Sequence, residues 1–514
     1  MYSKILSGAA LGIDGLLISV ESDISRGLPG LSLVGYLSSS VKEAGERVRT
    51  ALKNVGYSLP SRRITVNLSP ADVHKEGAGF DLAISISILI SMGEIPINSK
   101  LNRDLEKTVF LGEMGLDGSV LPVTGVLPIL DHAVRNGIRR AIVPCGNFVE
   151  ASYIKKMDII PVDNLYDLVE MMKNRVWDKG IIEIPSGDQT DIMGNVDLAD
   201  IKGQEVMKRG VVVAVAGFHN ILLTGAAGSG KSMISKCMPD IMPPLTFEES
   251  LELTKIYSVA GKLDLSKGLM KRRPFRSPHQ NVSEIAMIGG GANPKPGEVS
   301  LASGGVLFLD EFPEFSRGVI ESLRQPMEDR CVTVSRLRNS FTFPSRFMLV
   351  SARNNCPCGF FPDRNKCRCS MSEIYRYQNK ISHPIMDRID MRIEVRPLTY
   401  DEMFSTKKGM SSEDARAVIK VARRRQEIRY KNESFSFNSE LPQGYIDRYL
   451  SLGEDENLLL RKLFESNDFS ARGYYKLLKL ARTIADISDR ENIECCDLEE
   501  AAFYRNESGG TNWE

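Results

Sequence analysis

The sequence predicts an α/β protein built around a parallel sheet, with a helical C-terminal part. Three observations carry this. Apolar runs of strand length at 220–224, 305–309 and 346–351 read as strands buried on both faces. The first runs through a glycine-rich turn into a helical segment, 232–238. Beyond residue 398 strand signals become few, and helical patterns such as 413–432 and 470–488 take over.

At 514 residues the chain has room for about three domains, each able to bury its own core. Residues 1–175 form the first, an α/β unit with strand-like runs at 63–68 and 141–144 and helical patterns at 39–55 and 82–92. Asp117-Gly118 between apolar flanks signals a hairpin. A stretch rich in Gly, Asp and Ser makes 176–197 a linker. The second α/β unit covers 198–397, the helical part 398–508, and 509–514 is a disordered tail.

Composition narrows the function classes. Hydrophobic residues make up 42% and charged residues 26%, ordinary for a soluble globular protein. Lys+Arg and Asp+Glu both number 66, so any nucleic-acid contact must come from local patches. No apolar run reaches membrane-spanning length and the N-terminus lacks a signal-peptide pattern, which predicts a cytoplasmic protein without membrane contact.

The most specific string is Gly225-Ala226-Ala227-Gly228-Ser229-Gly230-Lys231-Ser232, a G-x-x-x-x-G-K-S phosphate loop between a strand and a helix. Its glycines let successive backbone N–H groups point at phosphate oxygens. Lys231 reaches the β- and γ-phosphates, and the Ser232 hydroxyl ligates Mg²⁺. The apolar run at 305–309 ends in Asp310-Glu311. Asp310 is expected to hold Mg²⁺ through water, and Glu311 to polarise the attacking water. The run at 346–351 leads to Asn354, a candidate for contact with the γ-phosphate or the lytic water. Arg388 and Arg472 are candidates for stabilising the charge that spreads over the γ-phosphate.

Cys356-x-Cys358 and Cys367-x-Cys369 place four thiols around one short loop, a set suited to tetrahedral Zn²⁺. Reduced free thiols and a redox role are the alternatives. The five histidines are scattered and none has metal-ligand spacing. Lys271-Arg-Arg273 with Arg276 is the densest basic cluster, and Arg336 and Arg338 fall on a hairpin at 332–343. These read either as DNA-backbone contacts or as a solvated charged face. Gly289-Gly290-Gly291 suits neither helix nor strand interior and reads as a loop.

From Asp197-Leu-Ala-Asp-Ile-Lys-Gly-Gln204 to Ser470-Ala-Arg-Gly-Tyr-Tyr475 the chain resembles the Mg-chelatase-like branch of the AAA+ ATPases, and within it the ComM/YifB family. The strings that carry this are Phe275-Arg-Ser-Pro-His279, Gly289-Gly-Gly-Ala-Asn-Pro-Lys-Pro-Gly-Glu298, Cys356-Pro-Cys-Gly359 and Asp387-Arg-Ile-Asp390. The resemblance implies an AAA+ P-loop core with a helical lid, an ATP-driven ring, usually a hexamer, and active sites shared between neighbours. It makes Asn354 the first sensor, Arg388 an arginine finger acting on the next subunit's ATP, and Arg472 the second sensor on the lid. The family usually has Met-Asn-Pro before Cys-Pro-Cys; here Arg353-Asn354-Asn355 keeps the sensor and lacks the proline. In related ring motors, loops like 289–291 face the pore.

In the first domain, Lys75-Glu-Gly-Ala-Gly-Phe80-Asp and the string from Gly112 to Gly125 resemble the proteolytic domain of the Lon family, a ribosomal S5-like α/β fold. The resemblance puts Gly79 at the nucleophilic serine and Leu127 at the catalytic lysine. Neither can act as nucleophile or base, so a fold without hydrolytic chemistry is expected. Together the resemblances imply an ATP- and Mg²⁺-dependent DNA motor, in branch migration or strand separation during recombination and natural transformation. A magnesium-chelatase motor subunit and a non-motor ATP-binding scaffold are the alternatives.

Overall fold

The computed structural model describes residues 2–174, 196–266, 268–291, 294–335, 340–404, 409–466 and 470–505. The expected tail at 509–514, the linker at 176–197 apart from its last two residues, and Arg336 and Arg338 lie outside these. The chain forms two compact units. The first comprises Met1–Gln189 with Ser250–Met270 and Ser335–Thr342, and the second Thr190–Glu249, Lys271–Val334 and Phe343–Glu514.

Among the described residues, the N-terminal part of the first unit holds nine strands: β1 (Tyr2–Leu11), β2 (Asp14–Ser25), β3 (Gly30–Val34), β4 (Arg63–Ser69), β5 (Thr108–Phe110), β6 (Glu113–Met114), β7 (Val120–Leu121), β8 (Arg140–Pro144) and β9 (Asp158–Val162). Seven make a mixed sheet in the order β3-β4-β2-β1-β5-β8-β9. β6 and β7 pair antiparallel around Asp117-Gly118, where Gly118 takes φ +89°, as the hairpin reading of that dipeptide requires. The helix Asp81–Met92 is apolar on all sides and buried on all sides, its serines satisfied by neighbours such as Ser3 and Ser22.

Two segments of the first unit come from later in the sequence, Ser250–Met270 and Ser335–Thr342. Ser250–Met270 lies between the phosphate loop and Asp310 in sequence, yet folds with the N-terminal residues. Leu251 and Leu269 pack in the core around Leu127, Leu130 and Phe148. Lys255 pairs with Asp131 at 2.5 Å. Ser258 hydrogen-bonds the buried Glu150 carboxylate, which also accepts from the Leu127 backbone N–H at 3.1 Å. Burial pushes the Glu150 carboxyl up, and these donors oppose the shift.

The second unit holds β10 (Ile221–Gly225), β11 (Phe275–Arg276), β12 (Gly289–Gly290), β13 (Lys295–Pro296), β14 (Val306–Leu309), β17 (Met348–Arg353) and β18 (Met391–Val395). β15 (Cys331–Ser335) and β16 (Ser340–Pro344) form a two-stranded sheet where the hairpin is expected. Five strands form an all-parallel sheet in the order β11-β14-β17-β10-β18. The helices Glu205–Gly217, Ser412–Arg429 and Ala471–Ile487 share its main apolar core, so the α/β and C-terminal helical segments fold as one body.

The glycine run departs from the expected loop. Gly289 and Gly290 pair antiparallel with Pro296 and Lys295. Gly289 sits at φ +99° with the Lys295 carbonyl 2.5 Å from where a Cβ would be. Only glycine fits that approach, which is why a string unsuited to an ordinary strand makes this one.

Asp390, just before β18, anchors the sheet to the C-terminal helices. It accepts from the Asn220 backbone N–H at 2.8 Å and pairs with Lys476 at 2.7 Å. Burial alone would raise its carboxyl, but Lys476 and His219 hold it far below the usual range. A depressed carboxylate contributes stability above its unfolded value of about 3.9 and loses it as the pH falls below that. Asp390→Ala strands the buried Lys476 ammonium and is expected to destabilise the fold by about 3 kcal/mol or more, read by denaturant melts at pH 7. The difference from wild type should shrink toward pH 3.

Candidate active site

In a parallel sheet all strands end at one edge, and ligands collect there. β10 ends at Gly225, β14 runs into Asp310, and β17 into Asn354. The phosphate loop follows β10 and leads into the helix Lys231–Ile241. Gly228 and Gly230 take φ +78° and +92°, which the turn needs and side chains resist. Four residues read from three separate strings, Lys231, Ser232, Asp310 and Asn354, thus come together. Lys231 Nζ donates to the Gly225 and Ala226 carbonyls at 2.8 Å and reaches Asn354 Oδ1 at 3.3 Å. The Ser232 hydroxyl donates to Asp310 Oδ2 at 2.8 Å. Burial pulls the Lys231 ammonium below its ordinary value, and Asp310 and Glu311 oppose that shift.

Glu311 stands at φ +49°, a left-handed conformation that costs a non-glycine residue energy. Gln280 Nε2 donates to Glu311 Oε2. Gln280 directly follows the Phe275–His279 string and has no local pattern that would single it out. Adjacent hydroxyl and carboxylate oxygens at Ser232 and Asp310 are hard donors of the kind Mg²⁺ takes.

The two arginines lie elsewhere. Arg388 precedes β18, at the opposite, amino edge of the sheet, and Arg472 begins the helix Ala471–Ile487. Both reach Glu328: Arg388 at 2.5 Å and Arg472 at 3.4 Å. Arg388 also donates to the Pro384 carbonyl at 2.6 Å. They line a pocket of about 410 Å³ with Arg330, Lys476 and Lys479. Arg388 holds the Glu328 carboxyl below its ordinary range. None of the hydrogen bonds or ion pairs of Lys231, Ser232 or Asp310 involves either arginine. Glu328 carried no signal in the sequence, being one acidic residue on a short helix.

The four cysteines converge, every Sγ within 4.8 Å of the others. Cys356 Sγ lies 3.3 Å from Cys358 Sγ and 3.7 Å from Cys367 Sγ. Zn–S bonds of about 2.3 Å at tetrahedral angles put sulfurs about 3.8 Å apart, so the donor set fits a thiophilic divalent metal. The Phe360 backbone N–H and the Cys356 thiol pull the Cys358 thiol down to about 6. In place of the family's proline, the Asn355 side chain donates to the Phe361 carbonyl at 3.3 Å, and the Asn355 backbone carbonyl accepts from the Gln378 side chain at 3.1 Å.

The three arginines of the basic cluster pair within the fold, while Lys271 and Arg272 stay exposed. Arg272 pairs with Asp240 at 2.8 Å, Arg273 with Glu249 at 3.0 Å, and Arg276 with Glu298 at 2.6 Å. Arg273 is also bound by the Gly304 carbonyl at 2.6 Å and is 5% exposed, so it is a structural residue. In the first unit, Gly79 precedes the helix Asp81–Met92, and Leu127 is fully buried.

Sheet order and site define a P-loop protein of the AAA+ class. Family models agree: residues 197–403 match "Magnesium chelatase, subunit ChlI", 409–505 its C-terminal domain, and 20–147 "Subunit ChlI of Mg-chelatase". The chain is 38% identical to the uncharacterized protein YifB of Salmonella typhimurium, over 97% of this chain and 96% of that one. It is 37% identical to the competence protein ComM of Haemophilus influenzae, over 98% and 97%. A Lon protease of Mycolicibacterium smegmatis is 28% identical over 31% of this chain and 21% of its own. The chain belongs to the ComM/YifB family of magnesium-chelatase-like AAA+ proteins, with a Lon-like N-terminal region. No described helix is long and apolar enough to cross a membrane.

Proposed function

We propose that the protein is an ATP hydrolase that works as a homo-oligomeric ring, usually of six subunits in this family, and moves DNA. The observation that carries the ring is the split site. β10 is 5 residues long, so the amino edge with Arg388 lies about 16 Å from the phosphate loop, farther than an arginine reaches. Arg388 and Arg472 therefore serve a neighbour's ATP, and both belong to the face presented to it. This alters the expected role of Arg472, which as a lid sensor would face its own nucleotide.

Within one chain, the loop from Gly225 to Ser232 cradles the phosphates and Lys231 holds the β- and γ-phosphates. Mg²⁺ bound by Ser232 and, through water, Asp310 would neutralise charge on the phosphates. Glu311 orients and polarises the attacking water, and Asn354 contacts the γ-phosphate. Arg388 of the neighbour stabilises the charge that develops. The four cysteines hold a structural zinc. The Lon-like region supplies no nucleophile or base and is a structural element.

Support for DNA as the partner comes from the ComM relative, whose name places it in competence. Arg273 and Arg276 are tied up in internal pairs, which leaves Lys271 and Arg272 as the exposed cations of the basic cluster. The test measures ATP hydrolysis with and without forked DNA, and unwinding of the fork, for wild type and Lys231→Ala. The expected result is DNA-stimulated hydrolysis and unwinding, both lost in Lys231→Ala. DNA that neither binds nor stimulates at low salt would sink the motor reading. The family models favour a second reading, a magnesium-chelatase motor, which predicts ATP-dependent Mg²⁺ insertion into a porphyrin with a partner subunit.

A further inference from the structure

The cysteine loop does more than stand near the ATP site. Cys356 is two residues from Asn354 in sequence and fully buried, so fixing its sulfur fixes the end of β17 that carries Asn354. Asn354 in turn meets Lys231 at 3.3 Å. A second link closes the circuit. Gly359, between Cys358 and Cys367, accepts a hydrogen bond on its carbonyl from the Ala227 N–H of the phosphate loop at 3.3 Å. Gly359 is held by its own N–H to the Cys356 carbonyl at 3.0 Å. It takes φ +80°, and a Cβ there would meet the Ala227 Cβ at 3.3 Å. The backbone of the cysteine loop thus lies directly on the phosphate loop, with no side chain between.

We infer that the 356–369 loop is a metal-dependent brace for the phosphate loop: a thiophilic divalent cation held by its four thiols sets the ATP affinity of the site beside it. The inference rests on the metal reading above. Apart from Ile374, the cluster's apolar surroundings are Cys356 and Cys367 themselves, with Phe361 and Cys369 packed against them. So small a core does not hold a loop of this length in one shape, and a cross-link through sulfur does. Without it, Gly359 and Asn354 lose their fixed positions. The phosphate loop then has to be ordered by the nucleotide itself, which lowers affinity.

The test uses the full-length chain and a fluorescent ATP analogue, so that binding is read without hydrolysis. Metal content is measured in freshly purified protein, then the metal is stripped by a chelator and excess Mg²⁺ restored. The expected result is one zinc per chain, an affinity about tenfold weaker after stripping, and recovery with one equivalent of Zn²⁺. Unchanged affinity in stripped, folded protein overturns the brace and leaves the metal reading standing. Protein purified without metal overturns both, while its ATP binding still reports on the phosphate loop alone. Should stripping unfold the chain, Gly359→Val decides. It forces a β-branched side chain into the left-handed conformation against Ala227 while all four thiols stay. Full metal content with weakened ATP binding is expected; full metal content with wild-type binding overturns the brace.

Discussion

Arg388→Ala is expected to cut ATP hydrolysis by about a thousandfold while leaving ATP binding unchanged. Binding stays because the phosphate loop, Lys231 and Ser232 sit at the other edge of the sheet from Arg388. Hydrolysis falls because the guanidinium stabilises charge that exists only as the γ-phosphate departs. A mixing experiment separates action on a neighbour from action within one chain. Lys231→Ala protein has an intact Arg388 and no working loop; Arg388→Ala protein has the reverse. In an equimolar mixed ring, about a quarter of the interfaces combine a good loop with a good arginine. Activity should reappear on mixing two inactive proteins. If none does, while both variants still assemble and keep their wild-type melting behaviour, Arg388 acts within its own chain and the split-site reading is wrong. Glu328→Gln offers a graded version. It loosens both arginines without removing either, so kcat should fall less than in Arg388→Ala.

What the sequence could disclose was what lies close together along the chain. The phosphate loop is one string, and Asp310-Glu311 and Asn354 each end an apolar run, so parallel-sheet logic alone puts them on one edge. The opposite edge had no such signature. Arg388 and Arg472 are separated by a long stretch of chain, and what joins them is Glu328, a carboxylate on a short helix with nothing local to mark it. The surroundings of the basic cluster were illegible for a related reason. Lys271-Arg-Arg273 with Arg276 looks like an open phosphate-binding patch, yet Asp240, Glu249 and Glu298 come from three other elements to pair with its arginines. Ser250–Met270 shows the limit on domain boundaries. Nothing local in it marks which core it joins; the packing of Leu251 and Leu269 around Leu127 and Phe148, with the pairing of Ser258 with Glu150 and of Lys255 with Asp131, does. The conformational freedom of Gly289 and Gly290 argues against a strand from sequence alone, yet that freedom is what lets Lys295 and Pro296 come so close.

Glu311→Gln is the second large effect, expected at about a thousandfold loss of hydrolysis with ATP still bound. The substitution keeps volume and an acceptor oxygen, so the strained turn at φ +49° and the Gln280 contact can survive. What it removes is the negative charge that draws a proton from the attacking water. Asp310 cannot substitute, because its Oδ2 is engaged by the Ser232 hydroxyl and its Oδ1 accepts the Glu311 N–H at 3.0 Å. That second bond fixes the direction in which the Glu311 side chain leaves the backbone, and Gln280 fixes where it ends. The water-polarising group is thus positioned from two sides before any nucleotide arrives, which is the preorganisation that makes electrostatic catalysis effective. A filter-binding measurement on Glu311→Gln should show ATP retained over times in which wild type has turned it over. Wild-type turnover in this variant would remove Glu311 from the mechanism and leave the strain at its backbone without a functional reason.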